Sequence, residues 1–351
     1  MSYDQRMQRI CTSLAHAGYD VTLVGRKLKT SIPLTAQLFK QKRLTCFFNK
    51  GFLFYAEYNL RLFFYLVIKK MDCICAIDLD TILPCFFVSK LKNIPRVYDA
   101  HEYFTEMKEV WTRPLVRNIW KSIERFAVPA FKYGYTVSEG LSAAFHKEYQ
   151  SEYLVIRNMP ILKPLNIQLQ KEKTIFYQGH VNEARGFEYL IPAMKQVPYK
   201  LVVCGDGNFM PRLRKLIAEN GVVEKVILKG MLPPDVLWLE TQKATLGIAL
   251  AEKEGLNQFM ALPNKFFDYI HAGLPQLAMN YPEYQKINNQ YKVGLLIEDL
   301  SSETIAKAIN ETMLDEELLS QMKKNCLQAR EIFNWQKEEA KLLEYYASVL
   351  A

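Results

Sequence analysis

The sequence predicts an α/β protein made of two doubly wound parallel-sheet domains. Three observations carry that reading. Short, near-continuous apolar runs rich in Val, Ile and Tyr alternate with longer segments of helical periodicity, the pattern of parallel strands covered on both faces. The length of 351 residues suits two domains at about 150 residues each. A Pro-containing stretch at 158–164, followed by polar residues 166–173, separates two halves that each hold their own series of strands. The boundaries read as 1–158, 159–334 and a last helical segment, 335–351. Half of the residues are apolar and 23% are charged, with 15 Gly and 15 Pro. That composition excludes a disordered, collagen-like or disulfide-framework chain.

The elements follow in order. Residues 3–17 read as a helix, and the first strand is VTLVG, 21–25. A domain of this kind normally opens with a strand and a loop leading into that helix. Neither stands in the sequence, so the first N-terminal strand is expected to be absent. CICAID (73–78), RVYDA (96–100), GYTVS (134–138) and EYLVI (152–156) complete the strands of the first half. TIFYQG (174–179), LVVCGDG (201–207), KVILKG (225–230), TLGIAL (245–250) and PQLAMN (275–280) are those of the second. In the last segment Leu342, Leu343, Tyr346 and Val349 recur at helical spacing, which predicts a helix packed across a domain surface.

Charge is unevenly divided. Residues 1–158 carry 23 Lys and Arg against 14 Asp and Glu, an excess of nine in a chain whose net charge is +8. The basic half suits an anionic partner (nucleic acid, a membrane surface or a phosphorylated substrate) or simply a solvated basic surface. The most apolar stretch, GFLFYAEYNLRLFFYLVI at 51–68, contains Glu57, Asn59 and Arg61 and ends in Lys69-Lys70. Those polar residues argue against a membrane span. They leave two readings, a buried helix and an interfacial helix touching a membrane. Seven cysteines at irregular spacing lie mostly inside apolar runs, as small hydrophobes do. Together with an N-terminus unlike a signal peptide, they point to reduced thiols and a cytoplasmic protein.

Three stretches could carry chemistry. In TIFYQGHVNEARGFEYL, Gly179 ends a strand and Arg185-Gly186 leads into a helix. That arrangement suits an anion, and equally an ordinary turn with a surface Arg. In LVVCGDGNFM, Gly205-Asp206-Gly207 follows a strand, and a tight turn explains it without a ligand. ALPNKFFDYIHAGLPQ is the most specific stretch. Pro263 marks a helix start, which puts Asn264 and Lys265 in the first turn and Asp268 one turn on. An ammonium beside free backbone N–H groups makes a diphosphate cradle, and Asp268 is placed to accept ribose hydroxyls. The plainer alternatives are a surface Lys and an Asp that complements the helix dipole.

Taken in order, these segments resemble the retaining glycosyltransferases of the GT-B fold, family 4 or group 1. The resemblance runs through AHAGYDVTLVGR, YDAHEYFTE, TVSEGL, VIRNMP, FYQGHVNEARGFEYL, LVVCGDG, ILKGMLPPDVL and LPNKFFDYIHAGLPQ. It implies two Rossmann-like domains facing across a cleft, the N-terminal one for acceptor and the C-terminal one for a nucleotide-diphosphate sugar. The C-terminal helix would cross back to the N-terminal domain. Basic residues are implied to take the place of a metal, so no metal and no resident cofactor are expected. Arg185 stands at the family's Lys position. His180 stands where the family carries an Arg, with less charge at neutral pH. Lys265 shares that role. Of two family glutamates eight residues apart, the second matches Asp268 as ribose ligand, and the first falls at Met260, which cannot act as one. Gly179, Asn257 and Asn264 join the implied donor contacts, and the base would lie near Gly205, Gly230 and Met231. His101, in DAHE, matches a histidine that reaches the donor sugar near the reaction centre.

The function implied is retaining transfer of a sugar from a UDP- or GDP-linked donor to a glycan or lipid-linked acceptor. Its setting would be cytoplasmic, with the basic domain on an anionic membrane surface at the inner face of the cytoplasmic membrane. The alternative is a non-catalytic GT-B protein that binds nucleotide sugars or a partner without turnover, which His180, Met260 and the absent first strand favour. A nucleotide-dependent oxidoreductase would need G-x-G-x-x-G after the first strand, and RKLKT follows instead. The scattered basic residues form no nucleic-acid motif.

Overall fold

The computed structural model describes residues 4–29, 31–166, 172–253, 255–260 and 262–351. The first three residues, most of the polar stretch expected as linker, and position 261 of the ALPNK segment lie outside the described residues. The chain divides into two compact units, Met1–Asn158 with Trp335–Ala351, and Met159–Asn334.

In the first unit the strands are β1 (Thr22–Lys27), β2 (Lys40–Thr45), β3 (Ile74–Ile77), β4 (Arg96–Ala100), β5 (Tyr133–Thr136) and β6 (Leu154–Val155). They form two parallel sheets, the pair β1-β2 and the series β3-β4-β5-β6. The first described helix is Gln5–His16. That helix starts on Asp4, whose side chain accepts from the Met7 N–H, a standard N-cap. Its first turn is anchored by Arg6, which is fully buried and pairs with Asp99 at 2.8 Å while donating to the Ile156 carbonyl at 2.9 Å. β2 escapes a reading based on apolar runs, because KQKRLT is a basic edge strand with no buried residue; exposed cations are a common means of blunting a sheet edge.

The C-terminal helix, Trp335–Leu350, belongs to this first unit. It packs on the first helix, where the Trp335 indole N–H donates to Ser13 Oγ at 3.0 Å. The Tyr346 and Tyr135 hydroxyls meet at 3.3 Å over β5. Leu342, Tyr346 and Val349 enter the same core as Met7, Ile10 and Leu23.

The second unit holds one six-stranded parallel sheet. Its strands are β7 (Thr174–Gln178), β8 (Lys200–Cys204), β9 (Val226–Gly230), β10 (Leu246–Ala249), β11 (Gln276–Met279) and β12 (Gly294–Ile297). Their order is β12-β11-β10-β7-β8-β9. β12, GLLI, is a second strand beyond those expected. The sheet grows outward in both directions from the β7–β10 pair, so the topological switch point lies there. In open parallel sheets ligands bind outside the carboxyl ends of the strands at such a point. Gln178 and Gly179 stand at that end of β7.

A cationic candidate site at the switch point

The loop after β7 is held by glycine chemistry. Gly179 sits at φ 111°, which side chains with a Cβ rarely adopt. A Cβ on Gly205, which follows β8, would lie 1.8 Å from the Gly179 carbonyl oxygen. The two strand ends therefore interlock only because position 205 has no side chain. Backbone bonds complete the clasp: Gly179 N–H donates to Cys204, and Val181 N–H to Asp206, both at 3.0 Å. The loop then rises to Arg185, which stands between two left-handed residues, Ala184 at φ 61° and Gly186 at φ 75°.

Lys265 enters from the helix Asn264–His271, which Pro263 caps. Its side chain is 8% exposed, and its Nζ lies 3.5 Å from the centre of the Tyr177 ring. The same ammonium faces Gly179, about where a Cβ there would sit, at 4.0 Å. Among the described residues Nζ has no hydrogen-bond partner. Burial holds this ammonium well below the ordinary lysine range, the Arg185 charge lowers it further, and Asp268 opposes both. A buried, unmatched cation beside a second cation is costly in isolation. It is the arrangement a bound anion would relieve.

Asp268 is half-buried and accepts from Gln178 Nε2 at 2.8 Å. Gln178 Oε1 in turn accepts from Thr241 Oγ1 at 2.7 Å. The Tyr269 hydroxyl donates toward the carbonyls of Phe176 on β7 and Ile248 on β10, at 3.3 and 3.2 Å. It thereby pins both strands of the switch point. Tyr177, Gln178 and Tyr269 were not readable as site residues, because each lies in a run that reads as core, and Thr241 was not because it stands among the polar residues Glu240, Gln242 and Lys243.

The remaining expected residues fall around this centre. His180 is exposed, and its carbonyl accepts from the Tyr177 hydroxyl at 2.7 Å. Cys204 is in register with Gly230, so the Gly205 turn and the Gly230-Met231 turn are neighbours at the carboxyl ends of β8 and β9. Met231 is largely exposed there. Asn257 and Met260 lie on the short helix Gly255–Met260, and Asn264 is exposed in the first turn of the Lys265 helix.

The first unit holds a separate polar cluster at the carboxyl ends of β3 and β4. His101 Nε2 lies 3.1 Å from Asp78 Oδ2. The His101 Nδ1 and the Asp78 Oδ1 have no partner among the described residues. Asp78 is held at φ 54°, a strained conformation for a residue with a Cβ. Burial, then the charges of Glu102, Asp80 and Asp99, push its carboxyl well above the usual range. The sequence signal for Asp78 was its place directly after the apolar run CICAI, as His101 follows RVYDA.

Two units built on parallel sheets, the second with paired cations at its switch point, make up the GT-B fold of glycosyltransferases. Residues 163–328 match the family described as Glycosyl transferases group 1. The structure is similar to sucrose-phosphate synthase from Thermosynechococcus elongatus, with a TM-score of 0.81 at 17% identity over 98% of this chain and 92% of that one. It is similar to WaaG, a glycosyltransferase involved in lipopolysaccharide biosynthesis, with a TM-score of 0.73 at 17% identity over 96% and 94%. Anabaena HepE in complex with UDP gives 0.67 at 14% identity over 89% and 87%. In sequence, the chain is 22% identical over 218 residues to a chitobiosyldiphosphodolichol beta-mannosyltransferase of Candida albicans. That match covers 56% of this chain and 44% of the relative. Identities this low carry the fold; joined to the family match, they support a glycosyltransferase of GT-B architecture.

Proposed function

We propose that the chain moves a sugar from a nucleotide-diphosphate sugar, UDP- or GDP-linked, to a glycan or lipid-linked acceptor with retention at the anomeric carbon. The observation that carries the reading is the unmatched Lys265 ammonium beside Arg185 at the switch point. A nucleoside diphosphate is the anion that fits there. As the bond from the anomeric carbon to the diphosphate oxygen breaks, negative charge grows on the leaving group. Lys265 and Arg185 stabilise that charge in the way a metal would, as preorganised electrostatic catalysis. The acceptor hydroxyl attacks the same face of the sugar, and its proton passes to the departing diphosphate. Asp268, already oriented by Gln178, takes the ribose hydroxyls. His101 contacts the donor sugar through its resemblance to the family histidine. Asp78 pairs with the Nε2 side of its ring and so orients the imidazole. The complexes of HepE with UDP and UDP-glucose support a uridine donor.

Calorimetric titration of the wild type with UDP, GDP and their sugars tests the reading. Saturable binding by one nucleotide class is expected, weakened at least about tenfold in Lys265→Met, the loss of one charge-assisted contact. Absence of binding by every nucleotide would overturn it. Binding without sugar transfer would favour a nucleotide-sugar-binding protein that has lost turnover, the reading that His180 and Met260 suggest.

A further inference from the structure

The helix Gly51–Ile68 is apolar almost all round, yet only one side of it is buried. Tyr58, Leu62 and Leu66 face inward. Phe52, Leu60, Phe64 and Ile68 are exposed along its outer side, Phe52 and Ile68 by more than two thirds. Its polar residues do not serve the solvent. Glu57 pairs with Arg61 at 2.7 Å and caps the Phe47 and Phe48 N–H groups. Asn59 donates to the Tyr55 and Asp80 carbonyls, both at 2.9 Å. Every polar group in the middle of the helix is thus spent internally, and the outer stripe stays apolar.

Two neighbouring helices extend the stripe. Ile82–Lys92 packs beside Gly51–Ile68 and exposes Phe87 and Leu91. Pro114–Ala127 follows, with the Phe126 ring tilted against Phe87 at 6.3 Å and Trp120 edge-on to Tyr55 at 5.1 Å. It exposes Leu115, Ile119 and Phe126 at helical spacing. On these three helices the exposed charged residues are Lys90 and Arg125, both cations. Lys50, Lys69, Lys70 and Arg113 stand exposed at their ends. The nearest exposed acids in sequence, Asp72 and Glu109, lie outside the helices.

We infer that this three-helix face docks on an anionic phospholipid bilayer. Charge selects the occupant. The first unit, Met1–Asn158 with Trp335–Ala351, has 25 basic and 17 acidic residues, so it carries the whole +8 of the chain. A second copy placed on the same face would set cation against cation. A bilayer offers phosphates to the Lys and Arg ends and hydrocarbon to the Phe and Leu side chains between them, the pattern of an interfacial surface. The helix enters the headgroup region without crossing; among the described residues no helix is long and apolar enough to span a membrane. The inference goes beyond the proposed transfer reaction and does not depend on the donor site.

Flotation of the full chain with phosphatidylcholine vesicles, with and without phosphatidylglycerol, tests it. The wild type should float with the anionic vesicles and stay behind with the neutral ones, and added salt should reduce recovery. Leu60→Ser with Phe64→Ser, both exposed and so tolerated by the fold, should lower the partition coefficient at least about tenfold. Neutralising Lys90 and Arg125 should lower it about fivefold for each cation. Thermal melting checks that the variants remain folded, and nucleotide binding by the second unit should be unchanged in them. Equal recovery with neutral and anionic vesicles, or unaltered flotation of the apolar variant, would overturn the inference. So would a concentration-dependent dimer that the same variant abolishes, because that assigns the face to a second copy.

Discussion

Replacing Lys265 by Met should make the ligand-free protein more stable and the nucleotide complex weaker. The side chain is buried, its ammonium lacks an acceptor among the described residues, and Arg185 adds like charge. Leaving a buried charged donor unmatched costs more than the roughly 1–3 kcal/mol of a neutral one. Its desolvated contact with the Tyr177 ring returns about 2 kcal/mol. Met keeps most of the volume, so the net gain is about 1–2 kcal/mol, or roughly 2–8 °C in Tm for a domain of this size. The pH dependence follows in sign. The folded value of the lysine is depressed, so the penalty is fully present below that value. It disappears as pH rises toward the ordinary lysine value of about 10.4. The advantage of Lys265→Met should therefore be largest at neutral pH and shrink on the alkaline side. Differential scanning calorimetry across that range reads it directly. With saturating UDP or GDP the order should reverse, since the diphosphate gives the wild-type ammonium its missing partner. A Met variant less stable than the wild type in the absence of ligand would refute the unmatched-cation argument.

Gly205→Ala should lower the stability of the second unit by more than about 2 kcal/mol and abolish nucleotide binding, because its Cβ would sit 1.8 Å from the Gly179 carbonyl; calorimetry and nucleotide titration check both. Asp78→Asn should leave nucleotide affinity intact and reduce the transfer rate by about a hundredfold or more, the scale of a misplaced reacting geometry; a kcat loss without change in nucleotide Kd is the signature, and an unaltered rate contradicts the positioning role. The raised carboxyl of Asp78 also implies that its cost to stability grows as pH rises from the ordinary carboxylate range toward its folded value, so the Asn variant should be more stable than the wild type at neutral pH. Arg6→Leu should cost about 3–5 kcal/mol in the first unit, since Asp99 is left buried without its cation; a chemical denaturation midpoint close to the wild type would contradict this.

Most strands were legible because a parallel strand buried on both faces must be a short apolar run. TIFYQ and LVVC are runs of that kind, each followed by a glycine that ends the strand. KQKRLT and GLLI were not, the first because an edge strand can be basic and exposed, the second because four apolar residues after a helix fit several structures. Gly179, Arg185 and Lys265 stand out in sequence as a glycine at a strand end and two cations near helix starts, and the fold gathers them at one point. The partners that orient them do not stand out. Gln178 and Tyr177 alternate on one strand, and only the sheet order decides that one side faces Asp268 and the other Lys265. Asp78 is one aspartate among many until β3 and β4 bring it to His101. The helix 51–68 shows the converse. Its composition allowed burial or a membrane contact, and only the fold shows that one side of it is buried while the other stays exposed.

The central claim is that two cations of the second unit do the work of a metal on a nucleotide-diphosphate sugar. Its most direct test is release of nucleoside diphosphate from UDP- and GDP-sugars by the wild type in EDTA, beside Lys265→Met and Arg185→Ala. Release by the wild type should not fall on chelation, and each variant should lose at least about a hundredfold, as for removal of a charge-stabilising group. Release that requires a divalent cation, or that survives in both variants, would contradict it.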